Sequence, residues 1–174
     1  MDAVTGYSGM RRVLVIGCPG AGKSTFARRL RDATGLPLHY LDMLWHNPDR
    51  TTVTRAEFDE RLQRILEEDA WILDGNFART LPKRLEYCDT VFFLNFPTDV
   101  CLEGVEGRSG MKREDMPWVE HEFDEESSVS TSSTFPLSGV RRWLTRLKTP
   151  PRAAVCVSIR SHPGQSWCKR SLMF

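Results

Sequence analysis

The string Gly17-Cys18-Pro19-Gly20-Ala21-Gly22-Lys23-Ser24-Thr25 has the spacing G-x-x-x-x-G-K-[ST]. Its glycines let the backbone fold back with N–H groups pointing inward, and the lysine and hydroxyl that follow add a cation and a neutral oxygen ligand. That set of groups suits a polyphosphate. The amides of residues 17–25 cradle its oxygens, Lys23 reaches the β- and γ-phosphates, and the Ser24 hydroxyl ligates Mg²⁺. The chemistry to expect is binding of ATP with Mg²⁺.

A second group of chemical residues follows Trp71-Ile72-Leu73, in the run Asp74-Gly75-Asn76-Phe77-Ala78-Arg79-Thr80. A carboxylate emerging from a buried strand beside a phosphate loop can hold Mg²⁺ through water, which makes Asp74 the candidate partner of Ser24. An Asp-Gly turn without chemistry is the plainer alternative. Arg79 has the fork geometry to grip an acceptor phosphate, with a solvated loop arginine as its plainer alternative.

These residues need elements to position them, and the chain alternates strand and helix signals up to residue 126. Apolar runs at 13–16, 38–41, 71–73 and 90–96 read as strands. Residues 23–32 read as a helix with Phe26, Leu30 and Ala33 on one face, so the glycine loop sits between a strand and a helix. A second helix spans 55–68, opened by a Thr54–Glu57 capping box and burying Phe58, Leu62, Ile65 and Leu66. A third follows Pro97-Thr98-Asp99 and carries Val100, Cys101, Leu102 and Val105 inward. The pattern predicts an α/β fold, a parallel sheet flanked by helices, with ligands gathered at the carboxyl ends of the strands.

Composition is consistent with that frame. The chain has 174 residues, 40% of them hydrophobic, enough for a domain that buries about 70% of its unfolded surface without staples. Cys18, Cys88, Cys101, Cys156 and Cys168 are widely spaced and form no C-x-x-C pair, which argues for reduced thiols in a cytoplasm. No basic, apolar leader and no run of eighteen apolar residues stands in the sequence, so neither export nor membrane spanning is expected. His39, His46, His121 and His162 have no ligand spacing and are assigned no chemistry.

The run from Leu73 to Lys83 resembles an adenylate kinase segment, Leu-Asp-Gly-Phe-Pro-Arg-Thr-Ile-Pro, with Asn76 as an extra residue and Ala78 in place of proline. The phrases Leu41-Asp42, Trp71-Ile72-Leu73-Asp74-Gly75-Asn76, Phe93-Leu94-Asn95-Phe96-Pro97 and Lys112-Arg113-Glu114-Asp115-Met116 are together similar to the adenylate-kinase-like DNA topology modulation proteins, over residues 10–126. The resemblance implies a P-loop NTPase fold of the nucleoside monophosphate kinase type, with ATP as donor and a mobile lid. It places the lid at about residues 107–118, where Arg108, Lys112 and Arg113 would close over the transferred phosphoryl and neutralise its charge. Where the resemblance leads one to expect an aspartate, this chain has Asn95, which leaves Asp74 as the metal candidate.

The acceptor region is the loop from Asp42 to Arg50. A nucleoside monophosphate is the first expectation, oriented by Arg79 with Arg50 or Arg55 and needing no general base. A small hydroxyl compound is the alternative, with Asp42 accepting the hydroxyl proton. Trp45 reads as a packed aromatic or as a base-stacking platform. A different class is a nucleotide-dependent regulator or nucleic-acid-associated protein with little turnover.

Charge changes abruptly after Glu126. Residues 1–126 hold 16 Lys and Arg against 23 Asp and Glu, whereas residues 127–174 hold eight basic residues and no acidic one, opening with a Ser-rich stretch at 127–134. A domain at 1–126 and an atypical basic tail at 127–174 follow from this. Loss of one nucleotide after the Glu126 codon would let the neighbouring frame spell Ile-Phe-Asp-Phe-Pro-Val-Glu-Arg-Arg-Gln across Thr131 to Trp143, as the similar proteins would continue. The tail is thus expected to be a frameshifted terminus, although residues 154–159 could still pair as a strand. The alternative is a basic arm whose cations and tryptophans, Trp143 and Trp167, contact nucleic acid. Sequencing the coding DNA decides: the shifted frame should contain those family-like words, and a frame without them sinks the idea.

Overall fold

The computed structural model describes residues 9–107, 113–118, 155–162 and 165–172. Arg108, Lys112 and the Ser-rich stretch at 127–134 lie outside these residues. In chain order the elements are β1 (Arg12–Gly17), α1 (Lys23–Thr34), β2 (Leu38–Tyr40), α2 (Leu41–Trp45), α3 (Arg55–Leu66), β3 (Trp71–Asp74), α4 (Leu81–Tyr87), β4 (Thr90–Leu94), α5 (Thr98–Glu106), β5 (Val155–His162) and β6 (Gln165–Leu172). They form one sheet in the order β2-β3-β1-β4-β5-β6. β1 to β5 run parallel, and β6 returns antiparallel to β5.

Period-two alternation in the strands supplies both faces of this sheet. Leu14 and Ile16 of β1 join Trp71, Leu73, Val91 and Phe93 beneath α3 and α4. Val13 and Val15 join Ile72, Phe92 and Leu94 against α1 and α5. Because both faces of β1, β3 and β4 are covered, these strands read as continuous apolar runs, as parallel strands do. α3 starts where the capping box requires, Thr54 N donating to Glu57 at 2.8 Å and Glu57 N donating to the Thr54 hydroxyl at 3.2 Å.

Several expectations are corrected. Leu41 begins α2 rather than ending β2, so the acceptor region opens with a short helix and only then becomes a loop. Ala27, not Ala33, shares the buried stripe of α1 with Leu30. Ala33 is exposed in the last turn, just before the Gly35 stop. In α5, Cys101 is fully buried whereas Val100, one helical position away, is 40% exposed, and Leu102 and Val105 are half-buried. α4 was not expected at all, although Pro82 stands in its first turn and Leu81 and Leu85 are buried. A final strand, which a frameshifted terminus could have lacked, is present as β5 over the segment at 154–159 that could still pair, in register with β4 from Thr90↔Val155 to Leu94↔Ile159. Among the described residues no helix is long and apolar enough to cross a membrane.

The glycine loop is seated against α5 by two residues without side chains. A Cβ at Gly20, whose φ is +81°, would overlap the Cys101 carbonyl, and one at Gly104 would overlap the Gly20 carbonyl. Gly104→Ala should therefore destabilise the protein by about 1–3 kcal/mol through overpacking, although in an exposed helix the same change stabilises by about 1 kcal/mol. Denaturant unfolding of the two proteins reads the sign, and a stabilised variant would show that the loop does not rest on α5.

Candidate active site

Residues 17–25 leave the end of β1 and enter α1 through Gly22, which sits in the left-handed region at φ +77° and supplies no side-chain cap. The first N–H groups of α1 therefore have no capping side chain and face the place where an anion would bind. Within the turn, Ala21 N donates to the Cys18 carbonyl at 3.1 Å, and Lys23 Nζ donates to the same oxygen at 3.1 Å. Cys18 and Ala21 are buried and anchor the loop in the core on the α1 side. A cavity of about 480 Å³ opens over the loop, lined by Gly20, Lys23, Ser24, Arg28, Gly104 and Arg113 among others.

β3 delivers Asp74 beside this loop, because its register with β1 pairs Val15 with Asp74. The carboxylate is 4% exposed, and among the described residues its Oδ1 has no hydrogen-bond partner. Burial pushes Asp74 up to about 6, and the charges of Asp115 and Asp42 push the same way, whereas Lys23 and the Ser24 hydroxyl oppose the rise. A desolvated carboxylate with an orphaned oxygen, next to the serine of a phosphate loop, fits a divalent cation. Mg²⁺ takes one or two carboxylates and keeps waters and phosphates for the rest, so Asp74 beside Ser24 suits it; among the described residues no three His, Cys, Asp or Glu come together as a cage.

Asp42 lies in the first turn of α2, directly after β2. Its position is set by Leu41, which packs so closely on Gly75 that a Cβ there would lie 2.8 Å from the Leu41 Cβ. The structure thus brings together Lys23, Ser24, Asp42 and Asp74 at the carboxyl ends of β1, β2 and β3. Arg113 joins them from the segment 113–118. Arg79 is placed elsewhere: it forks Asp59 of α3 at 2.9 and 2.7 Å, with both side chains about half exposed. Trp45 packs edge-on against Phe58 and Phe77, at 5.6 and 6.2 Å, as a core aromatic.

Sequence reasoning missed three residues. Asp115 is 4% exposed and accepts the Ser24 hydroxyl at 2.8 Å, while Arg113 forks it at 3.0 and 2.6 Å. Burial works against its charge, but these two partners hold its pKa down to about 2. Asn76 accepts from Gly17 N at 3.2 Å, tying the β3 loop to the phosphate loop. Arg84, wholly buried in α4, donates to the carbonyls of Gly75, Asn76 and Phe77, and so fixes a loop in which Phe77 has a strained φ of +32°. Burial lowers its pKa to about 9. For Asp115 a local signal existed in its position two residues after Arg113. Nothing local in the sequence reveals what Arg84 does.

No family model matches this sequence, and no curated protein does either. Solved structures do match. A gluconokinase from Sinorhizobium meliloti superposes with a TM-score of 0.50 at 17% identity, covering 85% of this chain and 82% of its own. A shikimate kinase from Acinetobacter baumannii, solved with shikimate, superposes with a TM-score of 0.51 at 18% identity, covering 91% and 87%. The fold is that of the P-loop kinases.

The raised pKa of Asp74 has a measurable sign. A carboxyl whose folded pKa lies above its unfolded value contributes stability at pH below about 4, and that stability is lost as pH rises through about 6. In EDTA, Asp74→Asn should therefore exceed the parent in stability by about 2–3 kcal/mol near pH 8, the worth of a two-unit shift, and the gap should close towards pH 4. Thermal unfolding across that range tests this, and a gap independent of pH would refute the buried charge.

Proposed function

We propose that the protein is a kinase that moves the γ-phosphoryl of ATP to a small acceptor, and that the acceptor presents a hydroxyl group. The observation that carries the reading is the convergence of Lys23, Ser24 and Asp74 around the uncapped start of α1, with Asp42 close enough to raise the pKa of Asp74. Two P-loop kinases of the same fold support the hydroxyl form, since one is named for gluconate and the other was solved with shikimate.

In this reading the loop amides and Lys23 hold the donor phosphates, and Ser24 and Asp74 hold Mg²⁺. The cation, when bound, neutralises charge on the phosphate oxygens. Asp42 takes the proton of the acceptor hydroxyl as its oxygen attacks the γ-phosphorus in line. The bond from that phosphorus to the bridging oxygen breaks, and ADP leaves with the electron pair. Arg113, with Arg108 and Lys112 outside the described residues, supplies lid cations that compensate the transition state.

A nucleoside monophosphate is the second reading, favoured by the half-exposed Arg79–Asp59 pair, which is weak enough to exchange Asp59 for a phosphate. Its chemistry needs no base at Asp42. Buried thiols at Cys18, Cys88 and Cys101 suit a reducing, cytoplasmic setting. Under either reading the tail at 127–174 lies outside the reacting groups named.

ADP release measured over a panel of polyols, hydroxy acids and nucleoside monophosphates separates the readings. Lys23→Ala should abolish acceptor-stimulated turnover. Asp42→Asn should lower kcat about 10²- to 10⁴-fold with a hydroxyl acceptor, but little with a monophosphate. ATP binding without stimulation by any acceptor would point to a nucleotide-dependent regulator instead.

A further inference from the structure

Ser24 presents one proton and two lone pairs. Its proton goes to Asp115 Oδ2, 2.8 Å away and 91 residues on in the sequence. That acceptor is itself fixed: Arg113 Nε donates to Oδ1 at 3.0 Å and Arg113 Nη2 donates to Oδ2 at 2.6 Å. Both oxygens of a carboxylate that is 4% exposed are therefore in use. Ser24 also lies near enough to Asp74 to favour its charge, but its one proton is directed to Asp115, and Asp74 Oδ1 keeps no hydrogen-bond partner among the described residues. The two aspartates near Ser24 thus differ in kind, one committed to protein groups and the other open to a cation.

We propose that Asp115 is a positioning residue that accepts the Ser24 proton, leaves the serine lone pairs for the divalent cation, and through Arg113 couples metal loading to the placement of residues 113–115 over the cavity. This rests on the P-loop kinase reading above. A hydroxyl whose oxygen ligates a cation becomes a stronger donor, so metal at Ser24 tightens the bond to Asp115. The same carboxylate holds the Arg113 guanidinium over the cavity above the phosphate loop. Coupling between binding sites is reciprocal, so residues 113–115 held by the Arg113–Asp115 fork raise metal affinity by the factor by which metal favours that position.

The bland alternative is an ion pair that only stiffens residues 113–115. The two are told apart by the gain in ATP affinity that Mg²⁺ provides, measured on the full chain by calorimetry in EDTA and then in Mg²⁺. A second readout is the electron paramagnetic resonance of Mn²⁺ bound with ADP. The parent should bind ATP in EDTA and more tightly in Mg²⁺. Asp115→Asn should lose about 10- to 100-fold of metal affinity, the usual effect of removing an outer partner of a metal ligand, with a much smaller change in EDTA. In a Ser24→Ala background the same substitution should change the Mg²⁺ gain no further. An equal Mg²⁺ gain in parent and Asp115→Asn overturns the proposal while leaving the kinase reading intact. No ATP binding by the parent in either buffer overturns both. If Asp115→Asn fails to fold, Arg113→Gln reads the coupling from the other side: it should reduce the Mg²⁺ gain, and an affinity loss of the same size in EDTA and in Mg²⁺ overturns the proposal.

Discussion

The Asp74 carboxylate sits where neither water nor a full set of hydrogen-bond donors compensates it. Its environment is hostile for three reasons: burial at the end of β3, the nearby charges of Asp42 and Asp115, and an oxygen without a hydrogen-bond partner among the described residues. Lys23 and the Ser24 hydroxyl soften this. A fold that tolerates such a group has an unmet demand for positive charge at that point, and a cation meets it best when it also has the Ser24 oxygen to bind. Much of the surrounding architecture follows from keeping that demand in place: β1 and β3 adjacent and parallel, the phosphate loop at the end of one strand, and the carboxylate at the end of the other.

Precision at the site comes from contacts that local elements do not make by themselves. Arg84 reaches three carbonyls of residues 75–77 from inside the core, and Asn76 in that loop accepts from Gly17. The chain of bonds runs from α4 through the β3 loop to the first residue of the phosphate loop. On the other side, Gly20 and Gly104 allow backbone to approach backbone, so the loop is clamped between α5 and the β3 loop. A loop held from both sides can present the first amides of α1 to an anion, because its shape does not depend on them.

This division explains what could be read from the sequence. The phosphate loop, the Thr54–Glu57 cap and the four apolar strands were legible because each depends on residues a few positions apart. Asp74 was legible because a strand end fixes its place. Ala33 lies on the expected face, three residues after Leu30, but in the last turn before Gly35, where it is exposed; of the neighbours Val100, Cys101 and Leu102, all expected inward, packing fully buries Cys101 alone. Leu41 moved from strand to helix because Gly75 admits it so closely that the chain turns there. Asp115 stayed hidden because its meaning lies in a contact with Ser24 across 91 residues, and attention to the basic residues beside it obscured the acid.

Charge around the site also bears on the acceptor. Asp42, Asp74 and Asp115 all act on the same small region, against Lys23 at the loop and Arg28 and Arg113 lining the cavity above it. On the proposed reading the donor's phosphates call on these basic groups. An acceptor carrying its own phosphate would bring about two further negative charges towards Asp42, and Arg79, the guanidinium expected to receive it, is forked to Asp59 on α3. That pair is half exposed and costs little to open, so the charge of Asp42 is what weighs against a phosphate. A neutral hydroxyl near Asp42 adds no charge, and on the proposed reading the carboxylate that would repel a phosphate would take the hydroxyl proton.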